Sequence, residues 1–129
     1  MVGETNLARL LSGLRPELRG TDWGYAVAPA VPEGMRPFAA LAEDEGMTLV
    51  APLGELRAAG LAAEGPMARI TLTVHSSLQA VGLSAAVCGA LAEAGISANV
   101  LAGFFHDHIM LAAADADRAM KVLEQLPNA

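Results

Sequence analysis

The segment Ala68-Arg69-Ile70-Thr71-Leu72-Thr73-Val74 alternates strictly between apolar and polar or small residues. That period of two describes a strand with Ile70, Leu72 and Val74 on its core face. Across Gly82–Ala94 the period changes: Leu83, Val87, Ala90, Leu91 and Ala94 recur at helical spacing, and Gly95 ends the stripe. Strands are expected next at Ile96–Ala102 and Phe105–Leu111, around a tight Gly103-Phe104 connection. Asp115 is expected to cap a last helix with Ala119, Val122, Leu123 and Leu126 on one face, closed by Pro127. The order β-α-β-β-α is that of a ferredoxin-like unit lacking its final strand.

The first half is less regular. Leu7, Leu10, Leu11 and Leu14 predict a short amphipathic helix capped by Thr5 and ended by Pro16 and Gly20. A strand is expected around Gly24–Ala30, where Trp23 and Tyr25 read as interface or core anchors. Three prolines and a glycine between Pro29 and Pro37 make a loop. Phe38–Glu43 and Met47–Pro52 form a hairpin around Asp44-Glu45-Gly46, with Gly46 free to take a positive φ. Leu53–Ala59 is a short helix stopped by Gly60, and Glu64-Gly65-Pro66 reads as a break. The sequence therefore divides at 1–65 and 66–129. Each half shows three strands where a complete unit needs four, so the halves are expected to complete each other by lending strands. The resulting fold class is α+β: two tandem, interdependent ferredoxin-like α/β sandwiches with antiparallel sheets.

Composition narrows the function. The chain has 129 residues, and a chain of this length buries about two thirds of its unfolded surface without help from a disulfide or metal. Eight basic residues, a net charge of −6 and no basic run argue against a nucleic-acid partner. No apolar stretch approaches about 18 residues, so no membrane partner is expected. Met1-Val2-Gly3-Glu4-Thr5 lacks the blocks of a signal peptide, and the lone Cys88 fits a reducing cytoplasm. Of the 129 positions 27 are alanine, which suits close helix–sheet packing. Cys88 lies mid-helix and reads as a small hydrophobe rather than a nucleophile.

The run from Gly82 to Ile96, with Gly82-Leu83 opening a helix and Leu91-Ala92-Glu93-Ala94-Gly95-Ile96 ending it, resembles the ACT domain signature. Thr71–Leu78, Ala80–Leu83 and Ala102–His108 resemble a family of small stand-alone bacterial ACT-like proteins with tandem halves. The subtype is similar to that of an animal cytosolic arginine sensor. The resemblance covers residues 67–126 strongly and Glu43–Pro52 more weakly. It implies a non-catalytic, regulatory fold that binds an amino acid or similar metabolite at an interface between ACT copies. It implies no cofactor and no enzymatic activity. ACT domains ordinarily carry an acid three residues before the glycine that opens the first helix; Gln79 stands there in this chain, which puts the acidic contact to a ligand amine in doubt.

In a β-α-β-β arrangement the loop His75–Val81 and the turn Gly103–His108 are expected to meet at one sheet edge. Free backbone N–H groups and a helix N-terminus favour an anion such as a ligand carboxylate. The candidate ligand-binding residues are His75, Ser76, Ser77, Leu78, Gln79, Gly82, Asn99, Gly103, Phe104, His106 and Asp107. Ser76 or Ser77 could equally serve only as a helix cap. His75, His106 and His108 all fall on this edge, and with Asp107 they could hold zinc or another transition metal, although His-x-His alone is a weak signal. The leading expectation is a small-molecule sensor that acts on a regulated partner protein, with a homodimer allowed. The alternatives are a structural module with a vestigial pocket and a small metal-binding protein or hydrolase using the three histidines.

Overall fold

The computed structural model describes residues 6–74 and 80–126. The elements in chain order are α1 (Leu7–Ser12), β1 (Pro16–Leu18), β2 (Trp23–Ala28), β3 (Ala39–Glu43), β4 (Gly46–Pro52), α2 (Leu53–Ala58), β5 (Ala63–Leu72), α3 (Leu83–Glu93), β6 (Asn99–Ala102), β7 (Asp107–Ala112), a 3-10 turn (Ala113–Asp115) and α4 (Ala116–Gln125). They form two compact units, one of residues 1–20 with 68–129 and one of residues 21–67.

The larger unit has the strand order β1-β5-β7-β6. Its β5, α3, β6, β7 and α4 follow the order expected for residues 68–126. The missing fourth strand is β1, which pairs antiparallel with β5 through Pro16↔Leu72, Glu17↔Thr71 and Leu18↔Ile70. The segment expected only to end the first helix is thus itself a strand. Its backbone continues the pairing beyond Leu18: Arg19 N–H donates to the Arg69 carbonyl (2.7 Å), and Arg69 N–H donates to Gly20 (3.1 Å). The core gathers Ile70 and Leu72 of β5, Ile109 and Leu111 of β7, Leu83, Val87 and Leu91 of α3, and Ala119 and Leu123 of α4. Leu10 and Leu14 from the N-terminal segment join it, Leu10 with no exposed surface.

Two expected caps differ. Asn6, not Thr5, caps α1, its side-chain oxygen accepting from Arg9 N–H at 3.1 Å; Thr5 lies outside the described residues. Asp115 stands at the start of α4 without making a cap bond, because a 3-10 turn precedes it and its carboxylate instead pairs with Arg118 at 3.0 Å. That Arg118 guanidinium also donates to the Ala94 carbonyl at the end of α3.

The smaller unit has the strand order β3-β4-β2-β5. Here β5 contributes its first residues, with Tyr25↔Glu64 and Ala26↔Ala63 in register. Strand β5 runs through Glu64-Gly65-Pro66, where a break is expected, but its pairing with β2 shifts register there. Gly65 makes this possible: a Cβ there would stand 2.6 Å from the Trp23 carbonyl, so only glycine admits so close an approach of β2. The unit is a β-α-β-β-α-β plan whose first helix is replaced by the proline-rich loop 29–38. Met35 of that loop packs on the core formed by Ala26, Ala28, Leu49, Ala51 and Leu56. Trp23 stacks edge-on against Phe38, ring centroids 5.6 Å apart. The single strand β5 therefore completes the smaller unit with its first residues and carries the larger with its last. This is the lending of strands that the strand count requires.

Candidate functional site

The described part of the expected site lies where β5 ends and β7 begins. Gly103 N–H donates to the His106 carbonyl at 2.9 Å and closes the hairpin turn. A Cβ at Gly103 would lie 2.8 Å from that same carbonyl oxygen, so the turn admits no larger residue without moving. Phe104 and Phe105 occupy its tip, edge to face at 5.1 Å and more than half exposed.

The turn is tied to the end of β5. His106 Nδ1 lies 3.4 Å from the Val74 carbonyl, which accepts the imidazole proton. Val74 is the last described residue before the loop. On the far side of that loop, Gly82 opens α3 with φ +98°, a left-handed conformation suited to glycine, and a Cβ there would meet Leu7 Cδ2 at 3.2 Å. The residue at the N-cap of α3 is Gly82, which has no side chain to cap the helix. The helix dipole favours negative charge at this end.

His108 lies against the same turn, its Nε2 3.5 Å from where a Cβ on Gly103 would stand. Its Nδ1 lies 2.9 Å from the Thr71 hydroxyl on β5. Burial pushes its pKa down to about 4, helped by Arg69, His106 and Arg19, so the imidazole is neutral at physiological pH. Asp107 moves the other way, its pKa raised by burial and partly restored by His106. Among the described residues no three His, Cys, Asp or Glu side chains come together as a metal site.

The candidate residues therefore separate. Gly103, Phe104, His106 and Asp107 share the hairpin turn, and Gly82 opens the helix after the loop. Asn99 is not brought to them. It sits at the opposite end of β6, in register with Met110, and its amide donates to the Met110 carbonyl at 3.3 Å. His75, Ser76, Ser77, Leu78 and Gln79 lie outside the described residues. Thr71 was missed as the partner of His108; the alternation of β5, which turns Thr71 away from the Ile70–Leu72 face, was the signal for it.

Two family profiles, both described as ACT domain, match residues 2–68 and 68–125 and so account for nearly the whole chain. The chain belongs to the ACT domain family. Among solved structures it is similar to VC0802 from Vibrio cholerae, a protein of unknown function described as a possible transport protein. They share 40% identity over 94% of this chain and 95% of that one, with a TM-score of 0.83. Atu0741 from Agrobacterium tumefaciens shares 16% identity over 88% and 89%, with a TM-score of 0.74. The regulatory subunit of aspartate kinase from Thermus thermophilus shares 13% identity over 86% and 95%, with a TM-score of 0.67. At such identities the last two show a common fold only. No curated protein matches. ACT membership supports a regulatory, ligand-binding role in general terms. No helix among the described residues is long and apolar enough to cross a membrane.

Proposed function

We propose that this ACT protein is a non-catalytic cytoplasmic sensor that binds an amino acid or a similar small metabolite and passes the signal to a partner protein. The binding edge is formed by the loop His75–Val81, Gly82 and the turn Gly103–Asp107. The observation that supports this most is the contact of His106 with the Val74 carbonyl at 3.4 Å. It ties the hairpin turn to Val74, where the loop that leads to Gly82 and α3 begins. A ligand carboxylate suits the first N–H groups of α3, and the hydroxyls of Ser76 and Ser77 are further donors.

Thermal-shift screening of metal-free protein with the twenty amino acids and common metabolites tests the reading. We expect at least one to raise the melting temperature in a concentration-dependent way, as any ligand selective for the folded state must. No stabilisation at millimolar levels overturns it. One observation favours a second reading, a structural module with a vestigial pocket: Gln79 stands where ACT domains carry an acid. On that reading His75→Ala and Ser77→Ala alter folding or dimerisation and leave no ligand effect to lose.

A further inference from the structure

The smaller unit has a cleft of about 430 Å³ lined by Tyr25, Ala26, Val27, Thr48, Ala62 and Glu64. It belongs to the sheet face opposite the α2 side. Alternation along β2 sends Ala26 and Ala28 into the core with Leu56 of α2, and sends Tyr25 and Val27 the other way. Register completes the site: Tyr25 lies directly opposite Glu64 on β5, and Val27 directly opposite Thr48 on β4.

We propose that this cleft binds a small alkylammonium compound, its charged head between the Tyr25 ring and the Glu64 carboxylate and its aliphatic stem along Val27. The lining combines what an ammonium group needs: a carboxylate for a charge-assisted hydrogen bond and an aromatic face for a cation–π contact. Among the described residues, no hydrogen bond or ion pair engages the Glu64 carboxylate or the Tyr25 hydroxyl. Lys and Arg are absent from the lining, so nothing there repels a cation or neutralises Glu64. Val27, 60% exposed, supplies apolar surface that an alkyl chain would cover. The Thr48 hydroxyl donates to Glu43 and adds a second carboxylate at the rim. Burial raises the Tyr25 pKa, which keeps the phenol neutral.

The charge distribution points the same way. Residues 21–67 hold seven carboxylates against Arg36 and Arg57, a net charge of −5 out of the chain's −6. Such a field concentrates cations at the surface and disfavours anions. The inference is separate from the amino-acid site proposed above, which lies in the other unit and favours a carboxylate.

The test uses three ligands with one stem: n-pentylamine, 1-pentanol and pentanoate, each titrated into the full chain and followed by amide chemical shifts. Pentylamine is expected to shift resonances of Tyr25–Val27, Thr48 and Ala62–Glu64, with pentanol and pentanoate markedly weaker. Glu64→Gln is expected to weaken pentylamine about tenfold or more, since it removes a charged hydrogen-bond partner. Tyr25→Phe, which keeps the ring, is expected to retain most of the affinity, and Tyr25→Leu to lose it. Unchanged shifts elsewhere in each variant's spectrum establish that it is folded. Equal binding of all three ligands, undiminished binding by Glu64→Gln, or no amine-dependent shift in residues 21–67 would overturn the proposal.

Discussion

His108 shows how one side chain couples the larger unit to pH. Its imidazole faces the Thr71 hydroxyl at 2.9 Å, and burial with two nearby arginines holds its pKa at about 4. In the unfolded chain the same group titrates near about 6.5. Between those values the unfolded state binds more protons than the folded one, so stability rises with pH across that window and is lost as pH falls through it. Asp107, with its pKa raised in the fold, contributes the opposite slope. Urea unfolding midpoints measured between about pH 7 and about pH 4.5 are therefore expected to fall on acidification, and His108→Gln is expected to flatten the profile. An unchanged slope in His108→Gln would show that the imidazole is not held neutral. Sequence placed His108 at this edge but as a member of a histidine trio. Its hydrogen-bond partner is a threonine two strands away in sequence; alternation along β5 gives the face on which Thr71 stands, but the register that brings it to His108 is in no local pattern.

At the scale of elements, legibility followed length and periodicity. α3 and α4, at 11 and 10 residues, and the alternating end of β5 were readable because their apolar periods repeat. β1 was not. Its three residues begin with a proline and lie two residues before Gly20, a pattern that reads as the end of a helix. What makes it a strand is the edge of β5, a tertiary fact. Gly65-Pro66 reads as a chain break, whereas Gly65 serves the close approach of β2 at a register shift within β5. The N-terminal segment should then matter to the larger unit far more than its length suggests. Leu10 is fully buried among residues of that unit's core. Leu10→Ala is expected to cost about 2–5 kcal/mol by chemical denaturation. A cost below about 0.5 kcal/mol, the range of ordinary surface substitutions, would contradict the placement of α1 in that core.

At the scale of the whole molecule, the tandem ACT organisation comprises two unlike units. The larger is complete in helices and borrows a strand from the N-terminus; the smaller lacks a helix and carries most of the negative charge. The fold class was legible because two ferredoxin-like halves each lacking a strand have an obvious joint solution. Of the proposed site, Gly82 and the Gly103 turn were legible because glycines mark them, whereas the cleft at Tyr25, Thr48 and Glu64 is assembled from three strands and has no local signal. The central claim is that the edge around Gly82 and the Gly103–Asp107 turn takes an amino acid or related metabolite. The most direct measurement is amide chemical-shift mapping of the full chain, titrated with whichever amino acid or metabolite stabilises it most. The account predicts saturable shifts concentrated in residues 74–83 and 103–107; saturable shifts confined to other residues, or none, would contradict it.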